Sequence, residues 1–264
     1  MSPRRCVVSL ATKKAPFPKA LRRLERSVRR AGFQGEILLW RPGSYPAGCP
    51  PHLEVPFAFK PFCFSEARRR GYDLVLWLDA RCLVVRSLDP IFDEIAERGW
   101  VLFRNEPHVL GEWASDLALE LFGLTREEAL ALPEVNGAAL GLDLRNRVAA
   151  DFLDSWYAAA RDGRSFRGVV EPLGSGADYM DVKKNRSGRV SGDPRVRGHR
   201  HDQTVAGILA HRLGMTLTYE GLQTYTRDRR SIAPSTRILI NRELVAPWRI
   251  ALDKRRGSRT ERAS

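Results

Sequence analysis

Leu74-Val75-Leu76-Trp77-Leu78-Asp79 is the stretch on which the fold turns. An unbroken apolar run of this length, with no polar residue every second position, suits a central parallel strand covered by helices on both faces. The run stops at a carboxylate. In open α/β sheets ligands collect beyond the carboxyl ends of the strands, so Asp79 is expected to stand where a binding crevice opens.

Upstream, Lys60-Pro61 opens a predicted helix that carries Phe62, Cys63 and Ala67 and closes at Arg68-Arg69-Arg70-Gly71. Before it lie a strand at Val7–Ala11, a helix at Pro18–Ala31 and a strand at Glu36–Trp40. Leu21, Leu24 and Val28 recur at helical spacing in that first helix, with Lys19 and five arginines around them, and Gly32 ends it. The Pro- and Gly-rich residues 41–56 read as a loop.

Downstream come an apolar segment at Cys82–Val85, a helix with Asp89 as N-cap and Pro90 as first residue, and a strand at Trp100–Phe103. Helices are predicted at Glu112–Phe122, after Thr125, and at Val148–Ala160, with a strand at Gly137–Leu144. Residues 163–200 dissolve into Gly, Ser, Asp and Arg and read as a flexible loop, a candidate lid over a ligand. A last clear helix begins at Asp202 and runs to Arg212. Short strands at Thr216–Tyr219 and Arg237–Ile240 are expected to close the sheet. The fold expected is therefore α/β: one domain over residues 1–252 with a mostly parallel central sheet flanked by helices, and a disordered basic tail at 253–264.

Composition bounds the function. A chain of 264 residues, 43% hydrophobic with six Trp, has ample apolar surface for a core, and none of its apolar runs reaches the roughly 18–20 residues needed to span a bilayer. The opening Arg4-Arg5 and Cys6–Leu10 faintly resemble a signal peptide, but Lys13-Lys14 follows so soon that a buried first strand is the better reading. Four cysteines without CxxC spacing fit a reducing cytoplasm rather than a disulfide framework. The net charge of +13 comes from 37 Arg and seven Lys spread along the chain, an arginine bias that often accompanies GC-rich coding. It predicts attraction to sugar nucleotides, phosphates, nucleic acid or other acidic surfaces.

Tyr72–Arg81 followed by Val84–Phe92 resembles the central segment of GT-A-fold glycosyltransferases, and is most similar to the glycogenin and bacterial galactosyltransferase-like group. That segment has an apolar strand, an Asp-x-Asp motif, a short strand and a helix opening with Leu-x-x-Leu/Ile-Phe. Lys60-Pro61, Asn136-Gly137-Ala138-Ala139-Leu140-Gly141-Leu142-Asp143 and His201-Asp202-Gln203-Thr204 are similar to the group's motifs in the same order, across roughly residues 5–220. The resemblance implies transfer of a sugar from a nucleoside-diphosphate-sugar donor to a glycan, lipid or small-molecule acceptor. It implies Asp79, Asp202 and His201 as catalytic residues, and Thr12, Lys13, Lys60, Arg81, Asn136 and Gly137 as donor-binding ones, with Thr12 and Lys13 facing the base and ribose.

In the family both Asp residues of Asp-x-Asp hold a divalent ion, Mn2+ or Mg2+, with a late His. Here Arg81 stands at the second Asp and Asn241 where the His is expected, leaving Asp79 as the retained metal-binding position. Arg81 is expected to place its guanidinium on the diphosphate and take over part of the metal's role. Asp79 could instead cap a turn, Asp202 its helix, and His201 could be a plain surface histidine. Two other functions stay open: a nucleotide-sugar-binding protein without activity, and a basic nucleic-acid-binding protein, although no helix-turn-helix, RNA-recognition or zinc motif is present.

Overall fold

The computed structural model describes residues 2–218, 223–225 and 235–240. Its elements in chain order are β1 (Arg5–Leu10), α1 (Phe17–Arg30), β2 (Glu36–Trp40), α2 (Phe59–Arg69), β3 (Leu74–Leu78), β4 (Cys82–Val84), α3 (Asp89–Arg98) and β5 (Trp100–Val109). There follow α4 (Asp116–Leu121), α5 (Arg126–Leu130), β6 (Pro133–Asp143), α6 (Arg147–Asp162), α7 (Arg164–Arg167), α8 (Gly176–Lys184), α9 (Asp202–Arg212), β7 (Gln223–Tyr225) and β8 (Ile238–Ile240).

The main sheet has the order β2-β1-β3-β6-β5. β1 runs parallel to both β2 and β3, while β6 is antiparallel to both its neighbours, so β2, β1, β3 and β5 share one direction and only β6 opposes it. The expected α/β architecture with a mostly parallel core is what forms. β3 is buried throughout, as its apolar run requires. Its side chains divide by pleat: Val75 and Trp77 join Leu140 and Leu142 under one helical layer, and Leu74, Leu76 and Leu78 join Val101 and Phe103 under the other. α2, α6 and α9 supply the first layer through residues such as Phe62, Phe152, Trp156 and Val205. α1 and α3 supply the second through Leu21, Leu24, Ile91 and Phe92.

Local chemistry moved several boundaries. The helix expected at Glu112–Phe122 is split: a 3-10 turn covers Leu110–Trp113, and α4 begins only after Ser115, whose hydroxyl accepts the Ala118 N–H at 3.0 Å. Leu88 rather than Asp89 is the N-cap of α3, with Asp89 the first helical residue and Ser87 Oγ–H donating to its carboxylate at 2.7 Å. β6 starts four residues earlier than Gly137, at Pro133, because the buried polar side chains Glu134 and Asn136 find partners within the fold.

Residues 163–200, expected as loop, hold two helices. Ser175 caps α8 by accepting the Asp178 N–H, Asn185 closes it in left-handed backbone, and Val182 is buried against Val169, Leu173, Val190 and Val196. Of the late segments expected as strands, only the first meets the main sheet. Thr218 makes a single bridge to Phe103, while β8 pairs antiparallel with β4 and parallel with β7 in a separate three-stranded sheet. Asn241 and the tail at 253–264 lie outside the described residues. Among the described residues no helix is long and apolar enough to cross a membrane.

Candidate functional site

β3 delivers Asp79 to the carboxyl end of the sheet, where its N–H donates to the Ala138 carbonyl of β6 at 2.8 Å. The pleat puts Asp79 on the same face as Trp77, whose indole N–H donates to Asp79 Oδ1 at 3.0 Å. The face they share is the one covered by α2, and from the start of α2 comes Lys60. Its ammonium, almost fully buried, donates to the Gly137 carbonyl at 2.6 Å and to Asp202 Oδ2 at 2.7 Å, and lies 3.5 Å from Asp79 Oδ1. Four elements, β3, α2, β6 and α9, thus converge on one cation.

Burial opposes charge on Lys60, but the Asp202 and Asp79 carboxylates beside it outweigh that and hold its pKa above the ordinary lysine value. Burial raises Asp202 to about 6, against the pull of Lys60. Both groups are therefore charged at neutral pH. A buried pair of this kind is costly to break, because either partner alone is an uncompensated buried charge. The role weighed for Asp202 as its helix's N-cap falls to His201; Asp202 is the first helical residue and its side chain serves the ion pair.

Gly137 explains itself by space. A Cβ there would lie 3.1 Å from Asp202 Oδ2, from Gln203 Oε1 and from Lys60 Nζ. Its N–H donates to Gln203 Oε1 at 3.2 Å, so backbone and side chains interlock. Asn136 is buried and its Oδ1 accepts the Ala138 N–H, which turns the β6 backbone at this point.

His201 is not a surface residue. It is 1% exposed, held in left-handed backbone with φ 50°, and stacked on Tyr179 at 5.2 Å between ring centroids. Nδ1–H donates to the Phe166 carbonyl at 2.9 Å, which leaves Nε2 an acceptor without a hydrogen-bond partner among the described residues. Burial pushes the imidazole pKa well below its usual value, so the ring is neutral. His199 is also buried, accepting the Ser115 N–H and donating to the Ser165 carbonyl, and is structural.

These groups line a cavity of about 370 Å³, within the size range of small-ligand sites. Lys60, Asp79, Arg81, Asn136, Gly137, His201 and Asp202 all belong to it. Thr12 and Lys13 do not: they follow β1, half-buried and exposed respectively, and are not among the lining residues. Arg81 is positioned by Arg23, whose guanidinium turns inward from α1 and donates to the Arg81 carbonyl at 2.9 Å. The arginine-rich helix is thus partly a brace and not only a solvated surface.

Several lining residues were not anticipated. Arg200 ion-pairs with the buried Glu134 and lays its guanidinium 3.6 Å from the Trp113 ring centroid. Asn105 donates to the same Glu134 carboxylate at 2.6 Å, and burial raises Glu134 to about 7 against the pull of Arg200. Phe57, Lys183 and Lys184 complete the wall. One signal was available: Lys is scarce, and three of the seven lysines, at 60, 183 and 184, line this cavity.

A divalent ion fits these residues poorly. Asp79 and Asp202 are the only carboxylates of the described lining, and the Lys60 ammonium already lies between them. The position after Ala80 adds a cation, Arg81, and among the described residues no group of three His, Cys, Asp or Glu side chains converges as a metal set.

No protein-family model matches the chain, and no curated protein sequence does. Among solved structures the chain is similar to mouse xyloside xylosyltransferase 1, with 11% identity over 90% of this chain and 98% of that one and a TM-score of 0.48. It is similar also to a glycosyltransferase involved in glycosylating the major capsid of PBCV-1, with 10% identity over 96% and 100% of the two chains and a TM-score of 0.44. A third is the galactosyltransferase LgtC in complex with donor and acceptor sugar analogues, with 13% identity over 92% and 89% and a TM-score of 0.41.

Proposed function

We propose that the chain is a GT-A-like glycosyltransferase that moves a sugar from a nucleoside-diphosphate-sugar donor to an acceptor hydroxyl. The observation that carries this reading is the meeting of Asp79, Lys60, Gly137 and Asp202 in one cavity at the carboxyl end of β3, with Arg81 in the same wall. Those residues come from separate motifs whose order along the chain resembles the glycosyltransferase pattern, and the fold brings them to one place.

In transfer, the bond from the anomeric carbon to the diphosphate oxygen breaks, the acceptor oxygen bonds that carbon, and the acceptor hydroxyl's proton passes to the departing diphosphate or to solvent. Negative charge grows on the departing diphosphate, and preorganised cations stabilise it. Arg81 takes that role, its fork suited to phosphate oxygens. Asn136 and Gly137 border the sugar, Asp202 and the neutral His201 Nε2 accept from sugar or acceptor hydroxyls, and Asp79 sets the Lys60 ammonium and the donor in register. Thr12 and Lys13 are assigned to the base and ribose, beyond the cavity. No step is routed through a metal.

Calorimetric titration with UDP, GDP and their common sugar conjugates, with a turnover assay on the conjugates that bind, tests the reading. Wild-type protein is expected to bind one nucleotide series saturably, and Asp79→Ala to lose donor binding or turnover while keeping a cooperative thermal unfolding. Undiminished activity in Asp79→Ala would remove the site assignment. Saturable binding with no donor hydrolysis or transfer would favour the second reading, a nucleotide-sugar-binding protein, which the prior engagement of both carboxylates by Lys60 also suits.

A further inference from the structure

The helix α8 brings to the cavity a charge that the resemblance does not supply. Tyr179 stacks on His201, Val182 is buried in its own apolar cluster, and Met180, Lys183 and Lys184 line the cavity. The helix is therefore docked through two contacts, and its last turn is presented to the site. Lys183 is half-buried, its ammonium 3.2 Å from Tyr179 Oη and 5.4 Å from the centre of that ring.

The charges of the cavity do not balance. Its described lining holds five cationic side chains, Lys60, Arg81, Lys183, Lys184 and Arg200, against the carboxylates of Asp79 and Asp202. Glu134 behind Arg200, raised to about 7, offsets at most one more. At least two positive charges are left over, and Arg81 and Lys183 are the half-buried lining cations for which no ion pair with a described carboxylate exists. Partly desolvated cations of like sign facing one cavity repel one another and call for an anion. A nucleoside diphosphate sugar has one negative charge on each of its two phosphates, which matches the surplus.

We propose that Lys183 joins Arg81 in a diphosphate subsite, so that the donor's pyrophosphate is held by two side chains from β3's end and α8 and binds without a divalent ion. The guanidinium grips one phosphate as a fork and the ammonium meets the other as a point charge. The electrostatics agree: burial first, and then the nearby Arg81, Lys184 and Arg200 charges, lower the Lys183 pKa, a bias that an anion between them would reverse. This inference rests on the donor reading above, and extends it to a segment that read as a loop.

The test is calorimetry in the presence of a chelator with inorganic pyrophosphate, UDP, GDP, their common sugar conjugates, uridine and guanosine. Wild-type protein is expected to bind pyrophosphate and one nucleoside diphosphate without added metal. Lys183→Met should weaken both by about 10–100-fold, the loss expected for one charge-assisted hydrogen bond. Lys183→Arg should recover most of that loss, the exposed-site control Lys19→Met should change neither, and affinity for the parent nucleoside should stay as it was. Unchanged affinity in a folded Lys183→Met protein, or binding that appears only with manganese, overturns the subsite. Lys183-dependent pyrophosphate binding with no binding of any nucleotide sugar would instead uphold the subsite and overturn the glycosyltransferase reading.

Discussion

At Gly137 a single missing side chain makes the site possible. Of the three polar atoms that a Cβ would meet at 3.1 Å, Lys60 Nζ and Asp202 Oδ2 are bonded to each other and Gln203 Oε1 accepts the Gly137 N–H, so none can withdraw without lengthening the Lys60–Asp202 pair or the Gln203 contact. Gly137→Ala is therefore expected to cost about 1–3 kcal/mol, the usual range for overpacking, and to impair donor binding as well. Thermal unfolding and nucleotide titration of the variant check this. A variant with wild-type stability and affinity would show that the approach is not tight. Asp79 and Lys60 illustrate how far residue identity alone carries. That Asp79 ends a buried strand is legible from five apolar neighbours. That Lys60 reaches across to Asp202, 142 positions away, is not written in any local pattern.

Among the elements, α8 is the one whose placement depends on a few contacts. Its hydrophobic anchor is Val182, fully buried among four other residues of the 169–196 segment. Val182→Ala removes two methyl groups from that cluster, and about 1–3 kcal/mol of docking with them. Amide exchange in residues 176–184 is expected to quicken, and pyrophosphate affinity to fall, although no cavity residue is altered. Exchange rates at wild-type values would mean that the helix is held by something else. The segment looked like loop because its apolar residues, Val169, Leu173, Val182, Val190 and Val196, are single and widely spaced. No helical period joins them; only packing does. α4 teaches the reverse lesson, since a helical pattern from Glu112 was cut short by one serine acting as a cap.

For the whole molecule, buried titratable groups set how stability varies with pH. His52 and His199 are lowered to about 4 by burial, and His201 well below its usual value, so these rings stay neutral in the folded state while the unfolded chain takes up protons below about pH 6.5. Their contribution is present above that value and is lost as pH falls toward 4. Asp202, raised to about 6, and Glu134, raised to about 7, act oppositely: the stability from their protonated forms is full below the unfolded carboxylate values and is lost as pH rises through 6 and 7. Three histidines outweigh two carboxylates throughout, since the unfolded chain's imidazoles still bind protons up to about pH 7. Stability measured as Tm against pH should therefore rise from about pH 4 and level off near pH 7. Glu134→Gln should steepen the rise between about pH 5 and 7, by up to about 1.4 kcal/mol per pH unit for the one proton. An identical profile in the variant would mean that Glu134 keeps its charge across this range. Some of the arginines are scaffolding: Arg23 braces a turn, and Arg126, Arg195 and Arg200 hold intramolecular carboxylates, while the net charge of +13 is a surplus over all carboxylates.

Local patterns were enough to establish the α/β class, the central strand, and the end of that strand as the place to look. Apolar periodicity and turn residues act over a few positions, and those features depend on nothing longer. Nearly all the residues singled out from motifs do share one cavity, but their motifs carried no information on charge state, burial or partner. The tertiary structure decided that Lys60 bridges two carboxylates, that His201 is buried with a bare Nε2, and that Lys183 arrives from a segment without a pattern. Each of these is set by the surroundings, by desolvation and by charges brought close from distant parts of the chain, and such proximity exists only once the sheet and its two helical layers have closed.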